Sequence, residues 1–167
     1  MVAWVGQENF MAALKEYFTK HAWGNTVLDD LLVELEKTSG RDVRAWSAKW
    51  LETAGVNTLT VEVADNEEGN ITSLGVRQSY AEGFETLRPH RAVIGFYNLT
   101  DGKLTRTDRI ELDIDGELTE VTEAVGKKRP DLLLLNDEDL AYAKVRLDER
   151  SIETAVKHLG DIDSSVA

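Results

Sequence analysis

The sequence contains no cysteine, which excludes disulfides, zinc–thiolate clusters and cysteine nucleophiles together. Histidine is scarce, with three in 167 residues, and no two stand within a helical turn of each other. No apolar run approaches the roughly 18 residues of a membrane span. The N-terminus lacks the charged-then-apolar pattern of a secretory leader. No membrane partner is expected, and the expected compartment is the cytoplasm. Basic residues are also short: 19 Lys+Arg face 31 Asp+Glu, a net charge of −12. A field of that sign repels phosphate backbones and anionic lipids, so nucleic acid is not an expected partner. The one basic cluster, Lys127-Lys128-Arg129, reads as a solvated turn.

What is present reads as two periodicities. In residues 7–20 the apolar side chains Phe10, Met11, Leu14, Tyr17 and Phe18 mark one face of a helix. Gly24 and Asn25 break the pattern, and Thr26 then reads as an N-cap with Asp29 as its capping-box partner. Leu28, Leu31, Leu32 and Leu35 form the stripe of a second helix, which Ser39-Gly40 ends. A third helix is expected over 42–53, carrying Val43, Trp46, Trp50 and Leu51, with Gly55 at a left-handed C-terminal cap.

After Gly55 the period falls to two. Leu59, Val61 and Val63 alternate with polar residues, as do Ile110, Leu112 and Ile114. Further strands are expected over 71–78, 91–99, 117–121, 132–135 and 142–147. Glu68-Gly69-Asn70, Asp101-Gly102, Asp115-Gly116 and Asn136-Asp137 supply the turns, Asp115-Gly116 being the strongest hairpin signal. About seven short strands at this spacing imply an antiparallel β-sandwich or barrel. From Ser151, read as an N-cap, Ile152, Ala155, Val156 and Leu159 restart a helical pattern. The fold class expected is therefore α+β: three helices, a sandwich, and a C-terminal helix.

The search for chemistry is mostly negative. His21, His90 and His158 lie in different contexts, and no H-E-x-x-H pattern exists. His21 suits a helix C-terminus, and His90, in Arg88-Pro89-His90-Arg91, opens a strand. There is no G-x-S-x-G elbow and no glycine-rich phosphate loop, Gly69, Gly75 and Gly83 being scattered. Asp113-Ile114-Asp115-Gly116-Glu117 could suggest a calcium turn, but Glu120 and Glu123 do not complete the ligand spacing. Asn136-Asp137-Glu138-Asp139 reads as a solvated acidic turn. Trp4, Trp23, Trp46 and Trp50 all lie in the helical third and suit core or interdomain packing. No catalytic, cofactor-binding or metal residue is assigned.

One ordered succession of motifs is specific. Residues 17–26 (YFTKHAWGNT), 29–32 (DDLL), 39–43 (SGRDV) and 46–59 (WSAKWLETAGVNTL) resemble the aminopeptidase N family of zinc metallopeptidases. So do 87–91 (LRPHR), 130–137 (PDLLLLND) and 140–148 (LAYAKVRLD). The resemblance implies three pieces: 1–55, the helical end of a thermolysin-like catalytic domain; 56–150, a β-sandwich; and 151–167, the start of a C-terminal helical domain. It implies that the family's H-E-x-x-H zinc helix, glutamate ligand, G-x-M-E-N motif and transition-state tyrosine lie upstream of Met1. The chain alone is then expected to be inactive and without cofactor, zinc belonging to the full-length parent. Its expected partners are the parent's remaining domains, with peptide substrates serving the parent, and exposed helical stripes are expected to drive self-association. The alternative is a stand-alone β-sandwich module binding peptide or carbohydrate through Tyr80, Phe84, Phe96, Tyr97 and Tyr142.

Overall fold

The computed structural model describes residues 1–158, Gly160 and Ile162. They form two compact units, residues 1–54 and the remainder from Gly55.

The first unit contains α1 (Val2–Val5), α2 (Gln7–Lys20), α3 (Leu28–Ser39) and α4 (Val43–Leu51). A short first helix thus precedes the three expected. Gly6, at φ 84°, turns the chain between α1 and α2. One hydrophobic cluster joins buried Val5, Ala13, Leu32, Leu35 and Val43, with Trp4, Phe10 and Leu31 packed against them. Small Ala13, rather than the large residues beside it, is the fully buried point of α2. Met11, Phe18 and Leu28 are exposed, so the expected stripes are covered only in part. Asp30, not Asp29, closes the start of α3 by accepting from the Val27 N–H at 2.9 Å. Thr26 instead bonds the Tyr17 hydroxyl, and Asp29 holds Arg44. Glu34 is buried, and Lys20 and Lys37 bridge its carboxylate at 2.7 and 3.0 Å, holding it below the usual carboxylate range. Helix α4 ends on Glu52. Gly55 is therefore no helix cap; a Cβ there would lie 2.6 Å from Phe84.

The second unit has β1 (Thr58–Asp65), β2 (Ile71–Ser79), β3 (His90–Thr100), β4 (Lys103–Ile114), β5 (Leu118–Glu120), β6 (Leu132–Leu135), β7 (Lys144–Arg146) and α5 (Glu149–His158). One sheet runs β5-β2-β1-β7 and the other β4-β3-β6. They are not closed into a barrel. Leu59, Val61, Leu74 and Val76 of the first face Ala92, Ile94, Phe96, Ile110, Leu133 and Leu135 of the second in one core, a sandwich.

Two expectations about pairing are corrected. The strands are not all antiparallel, because β7 pairs with β1 in parallel. Asp115-Gly116 is no hairpin: β4 belongs to one sheet, while β5 pairs with β2 in the other. The same turn residues serve a crossover, fixed by Gln78, whose side chain donates to the Gly116 carbonyl at 2.9 Å. The tight hairpin is Asp101-Gly102, where both residues take positive φ, as a type I′ turn requires.

Ser151 is likewise no N-cap. Helix α5 starts at Glu149, and the Asp148 carboxylate accepts from the Ser151 N–H at 3.3 Å. Ile152 and Val156 on α5 are exposed, while Ala155 packs beside Leu132 and Tyr97. Leu159 lies outside the described residues.

Candidate functional site

Strand β3 is buried on both faces from Ala92 to Tyr97. Its second face carries a buried polar constellation. Asp137 is 2% exposed and accepts from the Tyr97 hydroxyl at 2.9 Å and from Arg106 at 2.8 Å. Arg106 and Arg109 also reach Glu138 at 3.2 Å. The reading of residues 136–139 as a solvated acidic turn is thus overturned at Asp137.

Local structure explains how the three side chains meet. The β3–β4 register slips between Phe96 and Tyr97, leaving Thr107 unopposed as a bulge. A bulge reverses the alternation of a strand, so Arg106 shares a face with Tyr97 while Ile110 and Ile114 turn into the sandwich core. Gly95 clears the space: a Cβ there would lie 2.5 Å from the Asp137 carboxylate and 2.6 Å from the Tyr97 ring. Asn136, Glu138 and Asp139 all adopt positive φ. The Asn136 side chain holds this loop by bonding both N–H and C=O of Ala141. Burial, with the hydrogen bond to Asp137 second, raises the Tyr97 phenol to about 12. These groups can lock a loop onto a sheet; they do not form a nucleophile–base pair.

The residues weighed as catalytic stand apart from this cluster. His21 lies at the end of α2, its ring 5.4 Å from that of Tyr17, and His158 in the last turn of α5. His90 is buried, with Nε2 2.9 Å from Gln78 Oε1. Asp113 is paired with Arg91, and Asp115 accepts from the Gly116 N–H, so neither opens toward a cation. Among the described residues no three His, Asp or Glu side chains gather to hold a metal ion. The described residues do not fit a zinc site.

The basic cluster is no plain solvated turn either. Lys127 pairs with Asp108, and Arg129, nearly buried, bridges Asp65 and Asp148. Trp46 and Trp50 stack at 5.7 Å, Trp46 being buried, whereas Trp23 is fully exposed. The aromatic set of a carbohydrate groove is not assembled: Phe96 lies in the sandwich core and Tyr97 behind the opposite face. A groove of about 500 Å3 crosses the four-stranded sheet beside Leu118, Glu120 and Val125. Its other carboxylate, Glu62, is bound by Arg77.

His90 makes the fold sensitive to acid. Burial, and secondarily Arg88, lowers its pKa to about 4 from an ordinary 6.5. The unfolded chain therefore binds this proton first. His90 contributes full stability above pH 6.5, and loses it as pH falls toward 4. Between pH 7 and 5 the loss is about 2 kcal/mol. Urea midpoints at the two pH values, compared with those of His90→Gln, check this; the variant's midpoint should fall less.

No family model matches the chain. It is 54% identical over 173 aligned residues, 99% of its length, to the aminopeptidase N of Streptomyces lividans, and covers 20% of that protein. It is 43% identical over 63 residues, 38% of its length, to the aminopeptidase N of Lactococcus lactis subsp. cremoris, covering 7% of it. In structure it resembles Legionella pneumophila aminopeptidase A, solved in complex with aspartic acid. That likeness has a TM-score of 0.66 and 21% identity, covering 89% of this chain and 16% of that one. At that identity it is a likeness of fold. The chain spans about a fifth of the length, or less, of the curated relatives it matches.

Proposed function

Because the chain belongs, over nearly its whole length, to the aminopeptidase N family, we propose that it is the architectural segment of a zinc aminopeptidase that removes N-terminal residues from peptides. The observation that carries this reading is the 54% identity sustained over 99% of the chain. The segment comprises the helical end of a catalytic domain, 1–55, a bridging sandwich, 56–150, and the opening of a helical domain, 151–167. Its work is to hold the parent's other domains in place in the cytoplasm. Exposed Met11, Phe18, Trp23, Ile152 and Val156 are then surfaces that those domains cover, and through which the isolated chain self-associates. The described residues supply packing, ion pairs and a locked loop, and no ligand set for zinc. Assay of the purified chain for bound zinc and for release of N-terminal residues tests the reading; neither is expected.

A further inference from the structure

Two Asp-Gly pairs lie in turns of the second unit, Asp101-Gly102 and Asp115-Gly116, and all four residues are exposed. In such a pair the glycine nitrogen can close on the aspartyl side chain, because no Cβ shields it. The two turns hold that side chain differently. At 115 the carboxylate is folded back on the chain, with Oδ1 3.0 Å from the Gly116 nitrogen. The space that a Gly116 side chain would take is open. At 101 both residues are set at positive φ by the tight β3–β4 hairpin, and the carboxylate is not bonded to the Gly102 N–H.

Thr119 brackets residue 115. Its hydroxyl accepts from the Asp115 N–H at 3.2 Å and donates to the Asp115 carbonyl at 3.3 Å. Gln78 then clips the crossover to the sandwich. Its side chain donates to the Gly116 carbonyl at 2.9 Å, and its backbone N–H donates to the Glu117 carbonyl at 2.8 Å. Gln78 is buried, and its Oε1 lies 2.9 Å from Nε2 of buried His90.

The geometry points to Asp115 as a site of spontaneous modification, an aspartyl-to-isoaspartyl isomerisation that needs only water and releases the Gln78 clip. The Gly116 nitrogen bonds to Cγ of the carboxylic acid, a Cγ–O bond breaks, and water leaves with the nitrogen's proton. The product is a five-membered succinimide. Water then opens the ring at the α-carbonyl, the one that the Thr119 hydroxyl polarises, and the backbone runs on through Cβ and Cγ. Nothing is oxidised or reduced, and the isomer has the mass of aspartate. The added backbone atom moves the Gly116 carbonyl off Gln78 and leaves a buried amide donor unsatisfied, which destabilises the fold. This inference concerns the sandwich alone and stands apart from the proposed role in an aminopeptidase.

Tryptic digestion of the aged, folded chain separates the two pairs into peptides 92–103 and 110–127. Methyl transfer from labelled S-adenosylmethionine by a protein isoaspartyl methyltransferase reads the isomer. Label is expected in 110–127, placed at residue 115 by fragmentation, about tenfold faster than in 92–103. In urea, where both pairs lose their turns, the two rates should converge. Equal rates in the folded chain, or a difference that survives in urea, would overturn the inference. That comparison uses the unsubstituted chain alone, so it stands whether or not a variant folds. Asp115→Glu keeps the carboxylate but would need a six-membered ring, and no label should appear in its 110–127. The aged chain should also unfold at a lower urea midpoint than fresh chain, while ageing leaves the midpoint of Asp115→Glu unmoved. A labelled chain with an unshifted midpoint would refute the release of Gln78.

Discussion

Arg106→Met is expected to destabilise the sandwich by about 3 kcal/mol, since it strips a buried carboxylate of its cation. Asp137 would keep the Tyr97 hydroxyl as a donor, but its charge would remain at 2% exposure without Arg106. The figure sits at the lower end of the range for broken buried pairs because the Arg106 side chain is itself 39% exposed. Replacing both partners removes the stranded charge. Arg106→Met with Asp137→Leu should therefore be more stable than Arg106→Met alone. Denaturant midpoints at constant slope check both statements. A single variant equal in stability to the unsubstituted chain would mean that Asp137 is not held as described.

Gly95→Ala is the companion case, and its sign is informative. In an extended strand with negative φ, glycine to alanine ordinarily stabilises by about 0.4–1 kcal/mol through the unfolded chain. Here the added Cβ would fall 2.5 Å from the Asp137 oxygen and 2.6 Å from the Tyr97 ring. The Asp137 carboxylate is held by the Tyr97 hydroxyl and by Arg106, and the Tyr97 ring is itself buried, so neither has room to retreat. The expected result is a loss of about 3 kcal/mol, overpacking together with a weakened charge-assisted bond. Thermal unfolding of the variant reads it directly, and a raised midpoint would contradict it.

That latch is also where the sequence was least legible. Asp137 sits in Asn-Asp-Glu-Asp, a composition shared by solvated turns, and its burial depends on a bulge at Thr107 that is remote in the chain and near in space. Nothing local announces that Thr107 is unopposed or that Gly95 faces a carboxylate. Asp115-Gly116 misleads for a related reason: turn chemistry sets the bend, while strand partners are chosen by the sandwich core. The parallel β1–β7 pair is equally non-local. The extents of elements with a single period were legible, though not always which of their residues are buried. Helix α2 runs over Gln7–Lys20 as its stripe indicates, and Gly40 at φ 67° ends α3. The α+β fold class and the family resemblance were both visible, the latter because it rests on many spaced motifs rather than one. The starts of α3 and α5 were misassigned by one and three residues, since Thr26 and Ser151 have cap chemistry but are used for other bonds.

The central claim is that this segment supplies architecture and no chemistry of its own. Its most direct test is metal analysis and aminoacyl-p-nitroanilide turnover on the purified chain after incubation with zinc, beside the full-length Streptomyces lividans aminopeptidase N. The account predicts far less than one zinc per chain and release no faster than buffer. One tightly held zinc per chain with measurable turnover would contradict it.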